Sequence, residues 1–176
     1  MPLSGEIVGV ILAGGRSSRM GQNKALLDYG GIPLLEHMIH LVKKAGIKRV
    51  LISGLVQGYE CIPDDTPFEG PAKAILTVLH TVKDSGGFLF VPIDMPLLEP
   101  EILKFLMIQK GGGYYRGWPL PVYLAPPYQK SNESSVRGLL EDFHINPMDL
   151  PNLYLPTMAN INTPPEWKKV MNKREC

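Results

Sequence analysis

Apolar residues along this chain fall into two patterns, short unbroken runs and stripes at helical spacing. Residues 7–13, Ile-Val-Gly-Val-Ile-Leu-Ala, form a continuous branched run. Such a run predicts a strand buried on both faces, as in a parallel sheet. A Gly-rich loop, residues 14–21, follows it. Pro33 then opens a helical stripe of Leu34, Leu35, Met38, Leu41, Val42 and Ala45, with Gly46 as terminator. Residues 49–53 read as a second buried strand, and a polar, Pro-containing loop runs from there to Gly70. Pro71 starts a helix with Ile75, Val78, Leu79 and Val82 on one face, and Gly86-Gly87 closes that stretch. Residues 88–91 give a third buried strand stopped by Pro92. Pro100 opens a helix carrying Ile102, Leu103, Leu106 and Met107.

This strand–helix alternation over the first 110 residues predicts right-handed crossovers and an α/β fold, with a parallel sheet between helical layers. The last third is less regular. Gly111-Gly112-Gly113 reads as a flexible break, and residues 114–124 as a strand pair bent around Trp118-Pro119. Residues 135–143 read as a short helix, 153–155 as an edge strand, and Pro164 as the opening of a C-terminal helix over 165–173. No internal repeat is visible. The late elements are expected to cover the sheet and close one side of a site.

Composition narrows the function classes. At 176 residues the chain suits one domain, residues 1–176, that buries roughly 70% of its unfolded surface without help from disulfides or metal. Net charge is +1, so no general basic field exists to collect nucleic acid or an anionic membrane. The apolar run at 7–13 is far short of the ~20 residues of a spanning helix, and no basic residue precedes it as in a signal peptide. Cys61 and Cys176 form neither a metal spacing nor a disulfide framework. A cytoplasmic protein is expected.

The segment from Leu12 to Lys24, Leu-Ala-Gly-Gly-Arg-Ser-Ser-Arg-Met-Gly-Gln-Asn-Lys, carries the most chemistry. It leaves the carboxyl end of the first strand, where open α/β sheets bind ligands. Paired glycines let backbone N–H groups approach an anion, and Arg16, Arg19 and Lys24 add positive charge. A triphosphate needs both. Arg19 and Lys24 suit phosphate bridging and stabilisation of a pyrophosphate leaving group. A surface turn with solvated charges is the plain alternative, and the ordered glycines and cations directly after a buried strand count against it. No Gly-Lys-Ser/Thr tripeptide follows the glycines, which excludes a Walker A loop, and Gly-x-Gly-x-x-Gly is absent from this turn.

Leu12-Ala13-Gly14-Gly15, Arg19-Met20-Gly21 and Lys24-Ala25-Leu26-Leu27 resemble the signature of molybdenum cofactor guanylyltransferases, the MobA family. Gly31-Ile32-Pro33-Leu34-Leu35-Glu36-His37, Gly70-Pro71, Pro92-Ile93-Asp94-Met95-Pro96 and Asn160-Ile161-Asn162-Thr163-Pro164 extend the likeness. It is dense through residue 110, thin from 111 to 158, and returns at the Asn-x-Asn-Thr-Pro segment. The resemblance implies a Rossmann-like three-layer sandwich of the nucleotide-diphospho-sugar transferase type, with a mostly parallel central sheet. It implies transfer of GMP from GTP to molybdenum-carrying molybdopterin, with pyrophosphate released and Mg²⁺ as cofactor. Molybdoenzyme apoproteins or their chaperones are the macromolecular partners it suggests.

Residue by residue, the resemblance puts the nucleotide against Leu12, Ala13, Gly14, Gly15, Lys24, Ser53, Asp64, Gly70 and Asp94. Asp64 is preferred over its neighbour Asp65. Arg19, Lys24 and Asp94 take the catalytic roles. Asp94, at the end of the third strand between Pro92 and Pro96, also suits Mg²⁺, which takes few protein carboxylates and keeps phosphate and water ligands. A turn aspartate before proline is the alternative for Asp94 alone; the phosphate loop one strand away favours metal. Thr163 and Pro164 read as the cap and first residue of the last helix. On an extended segment Asn160 and Asn162 face the same way, and the resemblance puts them at the molybdopterin.

Two departures from the family pattern stand out. Ala72-Lys73-Ala74 follows Gly70-Pro71 where Leu-x-Gly is usual, so Lys73 either adds a phosphate contact or is a solvated lysine. Trp118 takes the place of a usual histidine, either to stack on a pterin ring or, more simply, to fill core. The four histidines show no ligand clustering, and His37 reads as structural. A cytidylyltransferase of the same superfamily is the enzymatic alternative. Gly14, Asn160 and Asn162 favour guanine over it. A non-catalytic nucleotide- or molybdopterin-binding module is the other, and Arg19, Lys24 and Asp94 count against it.

Overall fold

The computed structural model describes residues 5–14, 23–63 and 69–174, with side chains through residue 172. Seven strands form one sheet among these residues: β1 (Ile7–Leu12), β2 (Arg49–Ser53), β3 (Cys61–Ile62), β4 (Gly87–Pro92), β5 (Gly112–Tyr115), β6 (Trp118–Leu124) and β7 (Pro147–Met148). Their order is β3-β2-β1-β4-β6-β5-β7. The β3-β2-β1-β4 half is parallel, β6 runs antiparallel to both β4 and β5, and β7 lies parallel to β5.

Strand period 2 sorts the core into two layers. Val8, Val10 and Leu12 of β1, with Phe88 and Phe90 of β4, face one side. There they meet α2 (Pro71–Thr81) and α4 (Val136–Asp142). Ile11, Leu89 and Val91 face the other side. They meet α1 (Leu34–Lys44), α3 (Pro100–Met107) and, through Val170, α5 (Pro164–Arg174). Each strand is thus apolar on both faces because each face has its own helical cover. This is the three-layer α/β sandwich with a mostly parallel sheet that the alternation predicts.

Several details depart from the sequence expectation, all where elements are short; β3, two residues long, lies in the stretch expected as a loop up to Gly70. Gly112 and Gly113 are not a break but the start of β5. A Cβ on Gly112 would come 2.6 Å from the Tyr123 carbonyl oxygen, so glycine is what lets β5 approach β6. The turn between these strands is at Arg116-Gly117, with Gly117 at φ 89°, and Trp118 already belongs to β6. Leu153, Tyr154 and Leu155 lie in a 3₁₀ helix, Asn152–Met158. Pro156 inside it lacks the N–H a ladder requires, and the edge position is filled by β7 instead.

Candidate active site

The site forms where β1 and β4 end. Leu12 pairs with Ser53 on one side and Pro92 on the other. Beyond it the chain turns sharply, and Ala13 N–H and Gly14 N–H both donate to the Ser53 carbonyl, at 3.0 and 2.9 Å. The turn passes so close to β2 that a Cβ on Gly54 (φ 111°) would come 2.8 Å from Gly14 N. Gly15 and Arg19 lie outside the described residues. The chain re-enters at Asn23, whose side chain accepts the Ala25 N–H at 3.1 Å and starts the short 3₁₀ turn Lys24–Leu26. That turn sets where Lys24 begins.

Asp94 follows β4 in a segment anchored from two directions. Ile93 N–H donates to the Leu12 carbonyl at 3.3 Å, tying it to the end of β1. Behind it, the Pro96 carbonyl accepts from His37 Nε2 at 2.8 Å and from the Tyr29 hydroxyl at 3.4 Å. The Tyr29 ring packs on His37 at 4.2 Å and on Trp167 of α5 at 5.8 Å between centroids. His37 is therefore structural, as its isolation in the sequence suggests, and what it holds is the turn that carries Asp94.

The Asn160–Asn162 segment spans the gap between the two charged residues. Ile161 is buried, and its N–H donates to the Asp94 carbonyl at 2.7 Å. Asn160 Nδ2 donates to Asp94 Oδ2 at 3.0 Å. Lys24 Nζ donates to Asn162 Oδ1 at 2.8 Å and to the Ile161 carbonyl at 2.9 Å. Asn160 and Asn162 thus do more than share one side: one amide orients the carboxylate and the other orients the ammonium.

Leu12, Ala13, Gly14, Lys24, Asp94, Asn160 and Asn162 line one cavity of about 600 Å³, within the range of sites for ligands of a few hundred daltons. Pro71, Trp118 and Leu120 complete part of its wall. Trp118 is half-buried, packed against the core on the α1 side and presented to this cavity as well. Ser53 is 2% exposed and sits behind the loop, where its carbonyl supports Ala13 and Gly14; it is not among the residues lining the cavity. Gly70 caps α2 at φ 92° beside the lining residue Pro71. Lys73, half-buried on the first turn of α2, is likewise not among the lining residues. Asp64 and Asp65 fall outside the described residues.

Glu166 was not anticipated from the sequence. Its Oε2 accepts the N–H groups of Asn162 and Thr163 at 2.7 and 2.9 Å. The Asn162 backbone bond, then Thr163 and more weakly the Lys24 charge hold its carboxyl below the usual glutamate range. The spacing Thr163-x-x-Glu166 is the signal that could have found it.

Among the described residues, no group of three or more His, Cys, Asp or Glu is placed to hold a metal. Among the described residues lining the cavity, Asp94 is the one carboxylate, with Asn160 on one oxygen. That fits Mg²⁺, which completes its shell with substrate phosphate and water, and does not fit a closed protein cage.

Residues 9–140 match the family model described as MobA-like NTP transferase domain. The chain belongs to this MobA-like family. Nucleotidyl transfer is the chemistry class that goes with membership, and the matched residues include Lys24 and Asp94. A molybdenum cofactor guanylyltransferase of Xanthomonas euvesicatoria pv. vesicatoria is 32% identical over 186 residues, covering 98% of each chain. The solved molybdopterin-guanine dinucleotide biosynthesis protein A of Archaeoglobus fulgidus superposes with a TM-score of 0.69 at 20% identity, over 96% of this chain and 98% of that one. A Mycobacterium tuberculosis protein solved in complex with manganese gives a TM-score of 0.63 at 14% identity, over 95% and 98%. These two structures share the MobA-like fold. Among the described residues, no helix of the MobA-like chain is long and apolar enough to cross a membrane.

Proposed function

We propose that this chain transfers GMP from GTP to molybdopterin-bound molybdenum cofactor and releases pyrophosphate, as a single cytoplasmic nucleotidyltransferase domain. The observation that carries the reading is the convergence of Lys24 and Asp94 on one cavity at adjacent parallel-strand ends, joined by Asn160–Asn162. The name of the full-length Xanthomonas relative supports guanine and molybdopterin as the substrates.

The terminal phosphate of molybdopterin attacks the α-phosphorus of GTP in line. The new P–O bond forms as the bond to the bridging oxygen breaks, and its electron pair leaves with pyrophosphate. The attacking phosphate is already ionised, so no side chain needs to remove a proton. The protein's task is then positioning and charge neutralisation. Lys24, held toward the cavity by Asn162 and the Ile161 carbonyl, meets the triphosphate. Arg19, assigned from the motif, follows the charge that moves to the leaving group. Asp94 would hold Mg²⁺, which when bound polarises the α-phosphate and neutralises phosphate charge. Trp118, which lines the cavity as well as packing on the core, is suited to stack on a planar ring there.

Calorimetry with GTP, CTP, ATP and UTP in the presence of Mg²⁺ tests the base assignment. GTP should bind tightest. Tighter binding of CTP would move the chain to the cytidylyl-transferring branch of the superfamily.

A further inference from the structure

Glu166 lies in the first turn of α5, one step outside the cavity, and its carboxylate turns back toward the segment that lines it. Oε2 accepts two successive backbone N–H groups, those of Asn162 and Thr163, while Thr163 Oγ1 accepts the Glu166 N–H at 3.4 Å. This is a reciprocal capping box, which ordinarily serves only to start a helix. Here the residue it fixes has a second task. The Asn162 N–H is bound to Glu166 and the Asn162 side-chain oxygen is bound to Lys24 Nζ, so one residue carries both constraints. The carbonyl of the preceding residue, Ile161, takes the other Lys24 hydrogen bond. The Lys24 charge in turn adds, as the weakest of several causes, to what holds the Glu166 carboxyl below its ordinary range.

We propose that Glu166 is a positioning residue for nucleotide binding, setting the Lys24 ammonium through the backbone of Asn162. The inference rests on the nucleotidyl-transfer reading above. A carboxylate that merely capped α5 would stabilise the helix and leave Lys24 where it is. A carboxylate that positions Lys24 acts through Asn162 and the peptide it shares with Ile161, so its effect on GTP must shrink once the Asn162 side chain no longer holds Lys24.

The test compares Glu166→Ala, Glu166→Gln, Asn162→Ala and the double variant Glu166→Ala/Asn162→Ala, with Lys168→Gly as a control. Lys168 is exposed within α5, and glycine there weakens the helix without touching residues 160–163. The first readout is amide hydrogen exchange at residues 162 and 163 in the protein without nucleotide or metal. Glu166→Ala should speed exchange at both, and Glu166→Gln, which keeps an acceptor oxygen, should stay near wild type. The second readout is the dissociation constant for GTP. Glu166→Ala and Asn162→Ala should each weaken binding about 10-fold, the loss expected for a misplaced charge-assisted hydrogen bond. The double variant should be no weaker than about twice the larger single effect, because both changes cut one connection. Glu166→Gln should recover most of the affinity, and Lys168→Gly should lower Tm with GTP binding unchanged. Multiplying effects in the double variant would overturn the proposal, as would a loss of GTP affinity in Lys168→Gly matching that in Glu166→Ala. Failure of the wild-type protein to transfer GMP would instead sink the reading of function. A wild type that transfers, with multiplying effects, would remove the role of Glu166 alone.

Discussion

Lys24 Nζ meets Asn162 Oδ1 at 2.8 Å across 138 positions of sequence. The same three-residue segment reaches Asp94 through Asn160, 66 positions away. The cation after the glycine loop and the carboxylate after β4 are therefore held by one late segment, and the two ends of the site are set together. Two hydrogen bonds fix the ammonium in place, and a group already fixed costs less ordering when it meets an anion.

Lys24 and Arg19 are expected to fail differently. Lys24→Ala removes a charge that meets phosphates in the ground state, so KM for GTP should rise about 10- to 100-fold with kcat changing less. Arg19 is proposed to follow charge as it moves to pyrophosphate, so Arg19→Ala should lower kcat about 10²- to 10³-fold. Steady-state kinetics over a saturating GTP range separates the two. Equal losses of affinity from both variants, with turnover intact, would reduce Arg19 to an electrostatic anchor.

Asp94→Ala should abolish transfer and leave most of the fold in place. The Asp94 backbone remains tied to Ile161 through its carbonyl, and the neighbouring turn remains tied to His37 and Tyr29 through Pro96. The loss is of the carboxylate that suits a metal, worth several kcal/mol of charge stabilisation. Pyrophosphate release at saturating Mg²⁺ is the measurement, alongside far-UV circular dichroism. Near-normal release would make Asp94 a turn residue.

Much of the fold is legible in the sequence, because long buried strands and amphipathic helices carry their own pattern. Ile7 to Leu12 and Phe88 to Val91 read as strands because both faces of each are covered. β7 has two residues and β3 has two, too few for any periodicity to register. Lys24 and Asp94 are legible as candidates from the glycine loop and the strand end, and they line one cavity. Their coupling is not, since no local spacing relates Lys24 to Asn162. Glu166 stands between these cases. Its capping spacing is plain in Thr163-x-x-Glu166, while its nearness to Lys24 exists only in the folded chain.

Gly54 gives a prediction about stability rather than chemistry. At φ 111°, with its missing Cβ 2.8 Å from Gly14 N, any larger residue strains its own backbone and pushes on the loop. Gly54→Ala should destabilise the protein by about 1–3 kcal/mol, read by denaturant unfolding. It should also weaken GTP binding, because Gly14 lines the cavity. Unchanged unfolding would mean that the loop yields freely at this point.

The Glu166 carboxylate predicts a pH signature. Its pKa in the folded protein lies below the ordinary value of 4.5, chiefly through the Asn162 N–H. A depressed carboxyl contributes stability that is fully present above its unfolded pKa and is lost as pH falls through the folded one. The Tm advantage of wild type over Glu166→Gln should therefore be level from neutral pH down to about 5 and shrink in more acid solution. An advantage that grows on acidification would contradict the assignment.

The most direct measurement is product analysis. Wild-type protein is mixed with Mg²⁺, molybdenum-loaded molybdopterin and either GTP or CTP, and the products are followed by mass spectrometry together with pyrophosphate release. Molybdopterin guanine dinucleotide and pyrophosphate should appear in equal amounts with GTP and be strongly disfavoured with CTP. A cytosine dinucleotide formed faster than the guanine one, or no dinucleotide from either while GTP still binds, would contradict guanylyl transfer as the function of this site.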